Sequence, residues 1–277
     1  MKEEIIIRSL HKIEELDEVR RLESKIWGEF DSVPTHQTIT AVKNGGLVLG
    51  AYANGQLIGF QYSFPGFNGQ FVYLCSHILG TDERYRNKGI GEKLKQAQRD
   101  EALKLGYSLI TWTYDPLESI NGYLNIGKLG GICSTYIPNC YGEMDDLLNS
   151  GIPSDRFLVE WHIGKEKVTD TIGLEEYTEN FVLENSSLNW HLTENSLPAV
   201  TSALLESIHT GTKFVPIPKN YRIIRETNLE LAKNWRLQTR TIFSEMFSQG
   251  WRVNGFKKIS NPEIPVNFYI LTKEIPR

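Results

Sequence analysis

The sequence predicts an α+β fold, a mixed β-sheet with helices on both faces followed by a smaller α+β unit. The prediction rests on short strand-like apolar runs that alternate with amphipathic helical segments over the first 165 residues. It rests also on an Asn54-Gly55 pair that joins two such runs as a hairpin. After Gly164 the chain turns polar before helices and strands resume, which marks a second unit.

Ile5 to Ile7 read as a short strand, and Ile13, Leu16, Val19, Leu22 and Ile26 then recur at helical spacing on a charged segment. Residues 47–53 and 57–64 flank Asn54-Gly55 as hairpin strands. Residues 71–80, FVYLCSHILG, are apolar at nearly every position and predict a central strand. In the segment RYRNKGIGEKLKQAQRDEALKLG, residues 84–106, Ile90, Leu94, Ala97, Ala102 and Leu105 share one side of a helix that Gly106 closes. Residues 108–114 form the next strand, Asp115-Pro116 a turn, residues 119–129 a short helix, and residues 132–137 and 156–163 two more strands.

Residues 164–189 lack clear periodicity and read as a linker. A helix capped by Ser196, with Pro198 in its first turn, is expected from Leu197, Val200, Leu204 and Ile208. A second is expected from a Thr227/Glu230 capping box and the stripe Trp235, Ile242, Met246, ending at Gly250. WRVNGFKKI and VNFYILTK complete this unit as strands. The division expected is 1–165 and 166–277.

The 277 residues carry a formal net charge of −4 and a pI near 5.9. No global basic field attracts nucleic acid, so any polyanion site must be local. The N-terminal apolar run is too short for a secretion signal, and no stretch of about 18 apolar residues offers a membrane span. A cytoplasmic protein without membrane or nucleic-acid partner is the expectation. Cys75, Cys133 and Cys140 lack CxxC spacing and read as reduced thiols, and the six histidines show no metal-ligand spacing, so no metal is expected.

The local polyanion site lies in residues 84–91. A strand feeds a short loop, RYRNKG, and Ile90-Gly91 open a helix. The first turn of a helix has unpaired N–H groups and the positive end of its dipole. Gly89 and Gly91 permit close approach of a ligand, and Arg84, Arg86 and Lys88 concentrate positive charge. The competing reading is a solvated basic turn. A dinucleotide GxGxxG fails because Leu94 stands at the third glycine, and the P-loop likeness of Gly122 to Leu129 lacks the Ser or Thr for magnesium.

RNKGIG, residues 86–91, matches the pattern [QR]xxGx[GA] of the GNAT superfamily of acyl-CoA-dependent N-acetyltransferases. Together with the element order over residues 5–164 and the closing KLGG segment, it makes the chain resemble that family. TWTYDPLES and the stretch NCYGE also make it similar to a branch of predicted acetyltransferases with a C-terminal extension. The resemblance implies a centrally splayed sheet and acetyl-CoA as co-substrate. Leu79, Gly80 and Thr81 would bind the pantetheine arm, and the backbone of Arg86, Asn87, Lys88, Gly89, Ile90 and Gly91 the pyrophosphate. It implies an acetyl transfer to the amine of an unidentified small molecule by direct attack. Asn121 would contact the cofactor, or act as a turn or cap residue.

Two positions depart from the family pattern. Ile126 stands where many members carry the tyrosine that protonates the leaving thiolate, and Glu83 replaces a proline before the motif. Tyr123, one turn earlier, is the substitute acid or an aromatic packed under the sheet. For the base, His77 precedes the splay by two residues, on the side expected for Leu79, and its other reading is a satisfied core histidine. Glu160 is the second candidate. Asp115 and Glu118 flank the expected acceptor cleft or cap the following helix. Arg236 and Arg240, spaced four apart beside Trp235, are the expected clamp for an acceptor carboxylate, with a solvated helix face as the other reading; Arg156 raises the same question. A homodimer stands as an open expectation. A catalytically degenerate CoA-binding sensor or scaffold is the alternative function.

Overall fold

The computed structural model describes residues 4–30, 32–142, 151–164, 177–203 and 211–273. The chain forms two compact units, residues 1–112 with 162–167 and residues 113–161 with 168–277. This packing division cuts the chain at a different place from the change of texture after Gly164.

The first unit is built on strands in the order β1 (Ile5–Ser9), β2 (Leu47–Ala53), β3 (Gln56–Phe67), β4 (Val72–Thr81) and β5 (Leu109–Tyr114). The first three pairings are antiparallel and β4 runs parallel to β5. The β2–β3 turn forms where expected, with Asn54 and Gly55 both at positive φ. Helix α1 (Ile13–Trp27) opens on Lys12, and the Glu15 carboxylate accepts the N–H groups of His11 and Lys12 at 3.1 and 3.0 Å. A second helix, α2 (Thr35–Lys43), follows; its few apolar residues give no strong period in the sequence.

Side-chain alternation along β3 divides the two faces of this sheet. Phe60 and Tyr62 join Leu16, Val19 and Leu22 of α1 in one core. Gly59, Gln61 and Ser63 point the other way, toward α3 (Ile90–Lys104), whose Ile90 and Leu94 close on Gly59. The buried face of α3 differs from the expected one. It comprises Ile90, Leu94, Lys95, Gln98 and Ala102, while Leu105 is exposed. Polar partners on β3 and β4 let Lys95 and Gln98 turn inward, so the apolar period alone misplaces the face.

The second unit has antiparallel strands in the order β7 (Arg156–His162), β6 (Ile132–Ile137), β11 (Trp251–Lys257), β12 (Val266–Lys273) and β10 (Thr212–Pro218). Prolines 216 and 218 hide β10 from a sequence reading, and its place at the end of this order is where proline is tolerated. Helix α4 (Ser119–Gly122) continues into a π-helical turn, Tyr123–Lys128, within the range expected. Part of the expected linker is ordered as α5 (Glu179–Glu184) and strand β8 (Leu188–Leu192), while residues 165–176 lie outside the described residues.

The helix expected from Leu197 and Val200 is instead strand β9 (Pro198–Ala203), paired with β8. Trp235 Nε1 and Asn234 Nδ2 donate to the carbonyls of Pro198 and Val200, so tertiary bonds override a weak helical period; Leu204 and Ile208 lie outside the described residues. After α6 (Tyr221–Thr227), the long α7 (Leu229–Ser248) is capped by Asn228, whose side chain accepts from Leu231 N, and not by Thr227. Thr227 Oγ1 bonds back to Ile223 O. Trp235, Ile242 and Met246 are buried as the stripe predicts. Phe157 packs edge-on against Phe243 at 4.7 Å and against Tyr269 at 5.4 Å in this unit's core, each such buried ring worth about 1.5–3 kcal/mol.

Candidate functional site

In the first unit the chain leaves β4 through Asp82, whose buried carboxylate fixes the loop. It accepts from Arg84 Nε at 3.0 Å, from Lys25 Nζ at 2.9 Å and from the Arg84 backbone N–H at 3.0 Å. Arg84 and Lys25 together hold its pKa well below the usual carboxylate range. A single 3₁₀ turn, Glu83–Tyr85, follows, and Asn87 and Gly89 then adopt left-handed backbone at φ 61° and 76°. Gly89 is the N-cap of α3. A Cβ on Gly89 would meet nothing within 4 Å, and one on Gly91 would only touch Leu79 at 3.5 Å. Among the described residues, the N–H groups of Asn87 to Gly91 find no protein acceptor. The result is an open, donor-rich loop at the positive end of a 15-residue helix.

The three cations here play different parts. Arg84 is tied to Asp82, and Lys88 lies over the Tyr85 ring at 4.6 Å. Arg86 is exposed. The positive charge counted along the sequence is therefore partly spent on the loop's own geometry.

Next to the loop, β4 parts from β5. The two strands register at Leu74↔Ile110 and Cys75↔Thr111, while β4 stays paired with β3 as far as Thr81. Leu79, Gly80 and Thr81 therefore lie on the stretch of β4 beyond its register with β5. The β3–β4 register also shifts, with Tyr62 opposite Ile78 but Ser63 opposite Ser76, so His77 is the extra residue of a bulge. The bulge reverses side-chain parity. His77 packs edge-on to Tyr62 at 5.9 Å and against Phe64 at 5.5 Å, on the α1 face, whereas Leu79 lies opposite Gln61 and beside Gly91 on the α3 face. The two do not share a side, contrary to simple alternation. Displacement of water by its neighbours lowers the pKa of His77 below its usual 6.5.

In the second unit, Asn121 is exposed on α4. Tyr123 packs against Phe256 at 6.2 Å and has Lys258 and Lys128 over its ring at 4.8 and 5.6 Å, and Ile126 is buried. Glu160 is half-buried opposite Ile132. Arg236 is 1% exposed and grips both oxygens of Asp115, whose Oδ1 also accepts Leu117 N at 2.8 Å. Arg240 binds Asp155 with Nε at 2.8 Å and Nη2 at 2.6 Å. The forks expected to clamp an acceptor carboxylate are thus filled by carboxylates of the chain, because α7 faces the two acids across its own core. Glu118 meets Arg225 at 3.2 Å, and burial raises its pKa. Arg156 lies over Tyr141 at 5.2 Å.

Residues 14–123 match the family model described as Acetyltransferase (GNAT) family. The chain carries a GNAT acetyltransferase domain. That match contains the loop 86–91 and the parted end of β4. The GNAT domain is similar to solved structures at low identity. They include an acetyltransferase of the GNAT family from Streptococcus pneumoniae, with 14% identity, TM-score 0.47, and coverage of 57% of this chain and 98% of that one. Another is yncA of Salmonella typhimurium, solved with its cofactor acetyl-CoA, with 17% identity, TM-score 0.48, and coverage of 60% and 98%. A third is the ribosomal-protein-S18-alanine N-acetyltransferase of Escherichia coli, with 16% identity, TM-score 0.48, and coverage of 60% and 97%. No curated protein matches the chain.

Among the described residues no helix is long and apolar enough to cross a membrane, and no cluster of His, Cys, Asp and Glu is arranged for a metal ion. Sequence reasoning missed the bulge at His77 and the inward-facing Lys95 of the GNAT domain. A one-residue register shift has no composition, and a lysine at a helical face carries no mark of burial. Gln61, Ser63 and Ser76, in otherwise mostly apolar strands, are the trace in the sequence of polar partners on that face.

Proposed function

We propose that this protein is an N-acetyltransferase that moves an acetyl group from acetyl-CoA to an amine of a small molecule by direct attack. The observation that carries this reading is the loop Arg86–Gly91 of the GNAT domain, whose left-handed Asn87 and Gly89 leave N–H groups without protein acceptors at the start of α3. The loop fits a pyrophosphate by its donors, its open space at Gly89 and the helix dipole. The parted edge at Leu79, Gly80 and Thr81 suits the amides of a pantetheine arm and would polarise the thioester carbonyl. Residues 1–165 would be the acyl-CoA-binding domain and 166–277 a unit that covers the acceptor, in a cytoplasmic protein.

In the transfer the acceptor nitrogen forms a bond to the acyl carbon, the carbon–sulfur bond breaks, and its electron pair leaves on the thiolate of CoA. The nitrogen must be neutral when it attacks, and His77, kept uncharged at neutral pH by its lowered pKa, is the first choice for the proton acceptor. Glu160 is the second. Tyr123 is assigned to protonate the thiolate, and Asn121 to contact the cofactor. Positioning by the loop and the strand edge carries most of the catalysis in such a scheme.

The test is release of free thiol from acetyl-CoA with a panel of amines and amino acids. Amine-dependent release supports the transferase. The buried Ile126 favours a second reading, a CoA-binding sensor without turnover. Tight CoA binding with no thioester consumed by any amine or by water would select that reading.

A further inference from the structure

The guanidinium forks of Arg236 and Arg240 are filled by Asp115 and Asp155, and that of another arginine in the second unit stands open. Arg156 begins β7 and is half-buried. Among the described residues its one hydrogen bond runs from Nη1 to the carbonyl of Asp155 at 2.9 Å. Nε and Nη2 meet no acceptor there, and neither is closed off from solvent as Nε of Arg236 is. That pair of donors is the edge with which Arg240 holds Asp155 and Arg84 holds Asp82.

The surroundings keep this edge in place. The guanidinium lies over the Tyr141 ring, 5.2 Å from its centroid, a contact that uses the face of the fork and leaves its in-plane donors free. Tyr141 is in turn fixed from beneath. Its N–H donates to Ser154 Oγ at 2.9 Å, Ser154 Oγ donates to the Gly142 carbonyl at 2.9 Å, and Asn139, at φ 47°, gives its N–H to Asp155 Oδ1 at 2.9 Å. Ser154 and Asp155 are buried, so the loop that carries the exposed ring is tied to the core of its unit.

A second polar group completes the arrangement. The Tyr141 hydroxyl and Thr113 Oγ1 share a bond of 2.9 Å, which uses one of the two hydroxyl protons and leaves the other to donate. Thr113 stands on β5 two residues after Thr111, its last position in register with β4.

We propose that Arg156, with the Tyr141–Thr113 hydroxyl pair on the ring it covers, binds the carboxylate of the acceptor, so that the amine acetylated belongs to an amino acid. The inference rests on the acetyltransferase reading and gives it a substrate class. One fork and one cation match the two in-plane oxygens and the single charge of a carboxylate. A phosphate dianion calls for more positive charge than one guanidinium, and no contact of Tyr141 or Thr113 brings a second cation.

The experiment reads thiol release from acetyl-CoA with a panel of amino acids, each set against its carboxylate-free amine, as phenylalanine against phenethylamine and lysine against cadaverine. It compares the wild type with Arg156→Gln and Arg156→Lys. In the wild type the preferred amino acid is expected to exceed its carboxylate-free partner in kcat/KM by about ten- to a hundredfold, the worth of a charge-assisted pair. Arg156→Gln should lose that preference through a rise in KM with kcat kept, and should treat the carboxylate-free partner as the wild type does. Arg156→Lys, a point charge without the fork, should recover only part of it. Amine-dependent release without preference for any carboxylated member, or a variant that slows both members alike, would overturn the proposal. So would an Arg156→Gln protein that keeps the preference and loses stability, since a carboxylate of the chain then fills the fork.

The Nε–H NMR signal of Arg156, assigned by its absence in Arg156→Gln, reads the site without turnover. A saturable shift with an amino acid of the panel, and none with its carboxylate-free partner, supports the carboxylate site even where no amine consumes the thioester, a result that would fell the acetyltransferase reading alone. A signal silent to the whole panel overturns the site, and a stronger response to O-phosphoethanolamine overturns the carboxylate in favour of a phosphate.

Discussion

Arg236 holds Asp115 with both arms of its guanidinium, Nη1 on Oδ1 at 2.9 Å and Nη2 on Oδ2, in a site almost wholly closed to water. Such a pair joins the first turn after β5 to the middle of α7. Removing one partner leaves a buried charge without compensation, and Arg236→Ala should lose about 3–5 kcal/mol of stability in urea unfolding. A variant of unchanged stability that instead weakened acceptor binding would restore the carboxylate-clamp reading.

Gly89 sits at φ 76° with open space where a side chain would go. Gly89→Val should therefore strain the backbone by about 1–2 kcal/mol and place a branched side chain in the donor-rich loop. Acetyl-CoA affinity, read by calorimetry, is expected to fall at least about tenfold while the melting temperature drops by a few degrees. Unchanged affinity would remove the loop from the cofactor site.

His77 tests the assignment of the base. As proton acceptor it works uncharged, so activity should hold at neutral pH and decline as pH falls through a value below 6.5, the direction in which its neighbours shift it. His77→Gln should lower kcat by about a hundredfold or more and abolish that acid limb. An acid limb that persists in the variant would assign it to another group, with Glu160 next in line.

Lys95 also has a signature in stability. Its pKa falls from 10.5 unfolded to about 7 folded, so between these values the unfolded chain binds a proton that the folded chain does not. Stability from this group therefore rises with pH across that window, by at most about 1.4 kcal/mol per pH unit. Lys95→Met should be the more stable protein at pH 7, and its advantage should shrink steadily toward pH 9. A pH-independent difference between the two would mean that Lys95 keeps its ordinary pKa.

Much of the fold was legible because its elements obey local rules. Asn54-Gly55 set the hairpin, Gly106 closed α3, and the Trp235, Ile242, Met246 stripe defined the buried side of α7. Residues 198–203 broke the pattern, since Trp235 and Asn234 bind their carbonyls and draw into a strand a segment whose apolar spacing suits a helix. The loop 86–91 was legible for the same reason as the hairpin, that glycine marks special backbone. The side on which His77 points was not, because one bulge inverts every later position of the strand. Nor was the occupancy of Arg236 and Arg240, whose partners lie 121 and 85 residues away in the chain.

The central claim is that the parted end of β4 and the loop 86–91 bind an acyl-CoA, and calorimetric titration of the purified chain with acetyl-CoA tests it most directly. The account predicts saturable binding at one site, with a dissociation constant of about 1 μM to 1 mM and a rise in melting temperature that follows ligand concentration. Absence of both heat and thermal shift at millimolar acetyl-CoA would contradict it.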